Sequence, residues 1–154
     1  MTAVALICTA NRCRSVMAHA ILADEVKRRS LPIEVYSAGV IDFSDAPPLS
    51  ETTSMCLQFK TPAPDKPPTW VRSLPLDSIT RFLVMEQHHA DALVHSHGIA
   101  RERISLLGEF DPKERGVEIL DPYACGEVAY RECYEQLRDC IVEYLKTSKD
   151  LGTS

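Results

Sequence analysis

Residues 4–15 read Val-Ala-Leu-Ile-Cys-Thr-Ala-Asn-Arg-Cys-Arg-Ser: an apolar run ending on a thiol, a short polar loop, then an arginine and a serine that open a helical pattern. Strand, loop and helix in that order put Cys8 on the floor of a loop. The backbone N–H groups of that loop, from Thr9 through Ala10, Asn11, Arg12 and Cys13 to Arg14, can converge above the sulfur. Positive potential at such a point favours a thiolate over a thiol. The Arg14 guanidinium can hold two phosphoryl oxygens at once, which a lysine would not reproduce. Ser15 can donate its hydroxyl to the sulfur, both as nucleophile and as leaving group. Asn11 suits a tight loop because it tolerates left-handed backbone geometry. The chemistry expected is attack by sulfur on a tetrahedral oxyanion.

A cysteine with an arginine six residues later is a weak signal by itself. Cys125 and Arg131 repeat the spacing, but no apolar strand precedes them and no loop separates them. Context selects the first pair. Cleavage of a phosphate ester also needs a proton for the leaving oxygen. Asp121-Pro122-Tyr123 supplies a carboxyl on a stiff X-Pro turn just before the last helical pattern. Beside a phosphoryl dianion that carboxyl is expected to act as general acid, and afterwards as base toward water. Asp111-Pro112 competes for the role, but it lies among charged residues and reads as a surface turn.

The elements around these residues alternate. Val4–Ile7 reads as a strand. Met17, Ala18, Ile21, Leu22 and Val26 form a helical stripe that ends in Lys27-Arg28-Arg29, cations suited to a helix C-terminus. Ile33–Ser37 is a second strand and Phe82–Met85 a third, followed by a helix to about Gly98, a predicted C-cap. Ile104–Gly108 is a fourth strand, and a long amphipathic helix spans 127–145. The alternation predicts a parallel sheet with helices on both faces and ligands beyond the carboxyl ends of its strands. Segment 45–75 breaks the rhythm with seven of the ten prolines. It reads as a short helix near Ser50–Phe59 plus a stiff connector, with a substrate-facing rim as the second reading.

Composition bounds the rest. The chain has 154 residues, 45% hydrophobic and 25% charged, which fits one domain with a single core over residues 1–154. A formal charge of −5 argues against nucleic-acid binding. No run is long enough to span a membrane, and the N-terminus lacks the basic region of a secretory signal. The expectation is a cytoplasmic protein, monomeric or weakly dimeric, that binds phosphate-like anions. Of six cysteines, Cys56, Cys125, Cys133 and Cys140 read as packing residues. His88, His89, His95 and His97 lack helical metal-ligand spacing and read as a solvated face; His19 reads as structural. No metal site is expected.

Cys8 through Ser15, Ser37-Ala38-Gly39, Leu83-Val84-Met85-Glu86, Leu106-Leu107-Gly108 and Asp121-Pro122-Tyr123 together resemble the low-molecular-weight protein tyrosine phosphatases over nearly the whole chain. The resemblance implies a three-layer α/β/α fold with a four-stranded parallel sheet. It implies hydrolysis of protein phosphotyrosine through a cysteinyl-phosphate, with neither metal nor cofactor. It further implies that Ser37 hydrogen-bonds Asn11 to support the loop, and that Phe43 and Tyr123 wall the pocket. Cys13 corresponds to a loop cysteine that can pair with Cys8 and protect it from over-oxidation.

The chain departs from the family at Ala10 (usually Gly), Val16 (usually Pro), Thr69 (near a supporting His) and Ala124 (often aromatic). Arg12 stands where a small or apolar residue is common. It either lines the pocket mouth, attracting acidic flanks of a phosphopeptide, or is a solvated surface arginine. Three other readings share the loop. A protein-arginine phosphatase would want a small polar neighbour for a guanidinium, which cationic Arg12 opposes. An arsenate reductase needs further relay thiols, and 82–92 carries none. A phosphoprotein-binding module with faded catalysis would keep the cradle and lose turnover.

Overall fold

In the computed structural model, which describes residues 1–151, the apolar run at the N-terminus becomes strand β1 (Thr2–Cys8), with residues 3–8 all buried. A strand apolar on both faces has to be covered on both. Its even-numbered residues Val4 and Leu6 pack with helices α1 (Arg14–Arg29), α2 (Ser50–Gln58) and α4 (Glu127–Thr147). Its odd-numbered residues Ala3, Ala5 and Ile7 face the other way, toward Ala90 and Leu93 of helix α3 (Gln87–His97). Strands β2 (Ile33–Gly39), β3 (Arg81–Val84) and β4 (Ile104–Leu106) complete a parallel sheet in the order β2-β1-β3-β4. The expected three-layer α/β/α arrangement is the one observed.

The chain leaves β1 for β2 on one side and later returns to β3 on the other. The carboxyl end of β1 is therefore the point where the winding reverses, the usual place for a ligand crevice in an open α/β sheet. Cys8 sits there. The predicted helix ends also hold: Gly98 caps α3 at φ 66°, and Lys27, Arg28 and Arg29 fill the last turn of α1. The α4 stripe of Cys133, Leu137, Cys140, Ile141 and Tyr144 is buried as expected.

Three expectations need correction. β4 stops at Leu106 and turns through a 3-10 segment over Leu107–Phe110. A Cβ on Gly108 would lie 1.5 Å from the Val117 carbonyl oxygen, so residues 107–108 are pressed against a following loop and cannot extend the strand. Cys125 is exposed, in a turn closed by its own N–H to Pro122 O at 3.0 Å; it packs nothing. The proline-rich segment is more than a connector. It runs beneath the loop after β1, and Thr69 O accepts the Gly39 N–H at 2.8 Å.

Candidate active site

The loop 9–13 joins β1 to α1, and its shape follows from where its polar atoms go. The carbonyls of Cys8 and Thr9 accept N–H groups of Val40 and Ile41 at 3.1 and 3.0 Å, which ties the loop to the chain leaving β2. Among the described residues, no amide of residues 9–13 donates to a protein acceptor. Those donors are left for an anion, the arrangement that makes such loops phosphate cradles. Asn11 takes the left-handed conformation, φ 57°, as expected of a residue chosen for that geometry. Ala10 keeps a negative φ, so its methyl group introduces no backbone strain.

A chain of hydrogen bonds runs under the loop. Asn11 Nδ2 donates to Ser15 Oγ at 2.7 Å, and Ser15 Oγ lies 3.0 Å from Cys8 Sγ. Because Ser15 accepts from Asn11, its single hydroxyl hydrogen is directed at the sulfur. Ser15 and Asn11 are both buried. Ser37, expected to bond Asn11, does not: its Oγ meets His19 Nδ1 at 2.7 Å. Both acceptor positions on Asn11 Oδ1 are already taken, by Lys66 Nζ at 2.6 Å and by the Thr69 N–H at 2.9 Å. Ser37 supports the loop only through its carbonyl, 3.5 Å from Lys66 Nζ.

Arg14 is buried and reaches up from the first turn of α1. One of its nitrogens, Nη1, donates to Glu86 Oε2 at 2.5 Å and to Ile119 O at 2.8 Å. The other, Nη2, lies 3.9 Å from Asp121 Oδ2, so the guanidinium is braced on one side and turned toward the Asp121 carboxyl on the other. Glu86 is held below the ordinary carboxylate range: burial opposes this, but the hydrogen bond and charge of Arg14 outweigh it. Glu86 is also the N-cap of α3, where its side chain accepts the His89 N–H while His89 Nδ1 accepts the Glu86 N–H. The remaining ring nitrogen, His89 Nε2, meets Thr9 Oγ1 at 2.9 Å. Burial pushes His89 down to about 3, so it is neutral with its proton on Nε2, donated to Thr9.

His89 is thus a fully buried loop support, not part of a solvated face. Glu86, His88 and His89 do come together, but His89 Nδ1 is taken by the Glu86 N–H, its Nε2 by Thr9, and Glu86 Oε2 by Arg14. The sequence assigns no loop-supporting role to Glu86, His89 or Lys66, although Glu86 ends one of the motifs that carry the family resemblance. All three lie far from Cys8 along the chain, where no spacing to the thiol marks them.

Above the loop opens a cleft of about 330 Å³ lined by Cys8, Ala10, Arg12, Arg14, Phe43, Leu49, Asp121 and Tyr123 among others. The expected aromatic pair thus flanks the same cleft as the thiol and the carboxyl. Asp121 is exposed at its rim, and its Oδ1 accepts the Tyr123 N–H at 3.0 Å. Arg12 lines the wall, anchored by Nε donating to Pro47 O at 3.0 Å. Cys13 also faces the cleft; burial pushes its thiol up to about 12. The decoy pair stays apart from this site: Arg131 bonds Gln58 and Glu127.

Asp111 needs a correction of its own. It is buried rather than at the surface, with Oδ1 accepting N–H groups of Lys113 and Glu114 and Oδ2 accepting from Gln136. It is a structural turn residue.

Residues 3–152 match the family described as low molecular weight phosphotyrosine protein phosphatase. The chain belongs to that family. As one of the low-molecular-weight phosphatases, it is a cysteine-based phosphatase acting on phosphorylated protein. A low-molecular-weight protein tyrosine phosphatase from T. tengcongensis superposes with a TM-score of 0.86 at 26% identity, over 95% of this chain and 99% of that one. A protein-arginine-phosphatase of Bacillus subtilis strain 168 is 28% identical over 143 residues, covering 91% of this chain and 89% of that protein. A second protein-arginine-phosphatase, from Geobacillus stearothermophilus, is 29% identical over 147 residues, covering 93% and 95%. No described helix is long and apolar enough to cross a membrane.

Proposed function

We propose that this phosphatase hydrolyses phosphotyrosine on proteins, with Cys8 as nucleophile, Arg14 as phosphoryl clamp and Asp121 as general acid and base. The Cys8 thiolate forms an S–P bond as the ester P–O bond breaks. Asp121 gives its proton to the departing phenolic oxygen. The same carboxylate then takes a proton from water as that water attacks phosphorus, releasing phosphate and restoring the thiolate. Ser15 donates its hydrogen to the sulfur throughout. The loop amides and Arg14 hold the equatorial oxygens, whose charge grows toward the transition state.

The observation that carries the tyrosine reading is the cleft wall. Arg12, Leu49, Phe43 and Tyr123 all line the one cleft that holds Cys8. Two ring faces suit a flat phenyl group and reach past the length of a serine side chain. A fixed cation in the wall opposes a second guanidinium and attracts acidic residues flanking the phosphotyrosine. The second reading is phosphoarginine, favoured by the two relatives that carry that activity in their names.

Phosphotyrosine, phosphoserine and phosphoarginine peptides of one sequence decide between them. Phosphotyrosine is expected to lead in kcat/KM by about tenfold or more, equivalent to about 1.4 kcal/mol. A lead for phosphoarginine would overturn the tyrosine reading. No turnover of p-nitrophenyl phosphate above a Cys8→Ser control at pH 5–7 would overturn the catalytic roles and favour a binding module.

A further inference from the structure

We propose that Lys66 is a positioning residue for this reaction, whose positive charge holds Asn11, and through Asn11 and Ser15 orients the hydrogen bond donated to the Cys8 sulfur. The inference rests on Cys8 being the nucleophile.

Lys66 belongs to the proline-rich segment and is partly buried beneath the loop. Its three hydrogens have three acceptors: Asn11 Oδ1 at 2.6 Å, Thr69 Oγ1 at 2.9 Å and the Ser37 carbonyl at 3.5 Å. All three are neutral, and among the described residues no carboxylate forms an ion pair with this lysine. An ammonium withdrawn from water without a carboxylate is costly. Its position is explained by the other end of the chain it starts. Lys66 fixes the oxygen of Asn11, which turns Nδ2 toward Ser15; Ser15, accepting there, can only donate to sulfur. Each donor points the same way, toward the atom that becomes an anion. A charged first donor strengthens every bond after it.

The groups facing Lys66 agree with this direction. Burial works against its charge, while Cys8 at the end of β1 acts in the direction that favours the charged form. His19, from α1, is held neutral by burial, at about 4. Arg12 from the loop and Asp65 from its own segment line the groove in which it lies. Burial pulls Lys66 down to about 8, so the ammonium is present below that pH and lost as pH rises through it. Discharge of this first donor should therefore appear as an alkaline step near pH 8 in the rate of Cys8 alkylation, a reaction that does not need Asp121 protonated.

Lys66→Met and Lys66→Arg, in a Cys125→Ser background that removes the exposed thiol, test this. Two profiles are read from pH 4.5 to 9.5: kcat/KM for p-nitrophenyl phosphate, and the rate of Cys8 alkylation by iodoacetamide. Lys66→Met is expected to lower kcat/KM about tenfold and to move the alkylation midpoint up by about one pH unit. Lys66→Arg is expected to recover most of the activity lost in Lys66→Met and to lose the alkaline step in the alkylation profile, because arginine stays charged. A Lys66→Met protein that loses activity with both midpoints unmoved would reduce Lys66 to a structural support and overturn the inference. If Lys66→Met does not fold, as read by circular dichroism, Lys66→Arg carries the test; an alkaline step that persists unchanged in its alkylation profile overturns the inference. Failure of the underlying reading is separate: it appears as wild-type turnover no greater than Cys8→Ser.

Discussion

Asp111 and Asp121 share the dipeptide Asp-Pro, and their surroundings give them different work. Asp121 is exposed at the rim of the cleft, with one oxygen 3.9 Å from Arg14 Nη2. Asp111 spends both oxygens on two backbone N–H groups and the Gln136 amide. Replacing Asp121 by Ala should lower kcat by about 10²–10⁴-fold on aryl phosphates and leave the melting temperature nearly unchanged. Asp111→Ala should leave kcat within a small factor and cost about 1–3 kcal/mol of stability, by stranding buried donors. Kinetics at pH 5–7 and thermal melts on both variants check this; a kcat collapse in Asp111→Ala would reverse the assignment. The local arrangement at this scale was legible. Cys8, Arg14 and Ser15 sit within eight residues, so strand, loop and helix context sufficed to place them. Glu86, His89 and Lys66 reach the loop from segments about 55–80 positions away, and no spacing rule carries that information.

At the scale of elements, the loop owes its shape to the strand beside it. Gly39 ends β2, opposite Cys8 in the sheet register. A Cβ added there would lie 2.6 Å from Thr9 O, 2.7 Å from Ala10 C and 2.8 Å from Ala10 Cα. All three are backbone atoms of the loop itself, so no flexible side chain can yield. Gly39→Ala should therefore push the loop off the strand. Overpacking of this kind costs about 1–3 kcal/mol, and displaced amides should lower kcat/KM about tenfold or more. Phosphate or vanadate affinity, measured by titration, should weaken in parallel. Wild-type anion affinity in Gly39→Ala would show that the loop does not depend on this contact. Ala38-Gly39 was legible as a strand end, but the reason for the glycine was not. It lies in a contact between residues thirty positions apart. The proline-rich segment differs from the expected connector for the same cause: its prolines exclude a central strand yet say nothing of the lysine and threonine they deliver under the loop.

At the scale of the whole molecule, alternation of apolar runs and helical stripes was enough for the sheet and its layers, since burial on both faces constrains a parallel sheet strongly. What it could not show is how the layers share the site. His19 on α1 and His89 on α3 lie in different layers, yet both press on the loop surroundings, through Ser37 and Thr9. Burial holds them neutral, at about 4 and about 3 against an ordinary 6.5. Between those values and 6.5 the unfolded chain binds protons that the folded chain refuses, so stability falls as pH drops through that window and is fully present above it. Glu86 and Asp150, held below their ordinary 4.5 and 3.8 by arginine partners, lose their contribution only at still lower pH. The fall between pH 6.5 and 5 thus belongs to the histidines. The melting temperature should drop over that range in the wild type and drop less in a His19→Gln, His89→Gln double variant, whose amides can still donate and accept. The imidazole resonances of His19 and His89 should stay in the neutral form at pH 5 in the folded protein. Protonated rings at that pH, or an equal slope in the double variant, would show that the two supports are not the acid-sensitive points, and that the loop's foundation tolerates charge where its burial says it should not.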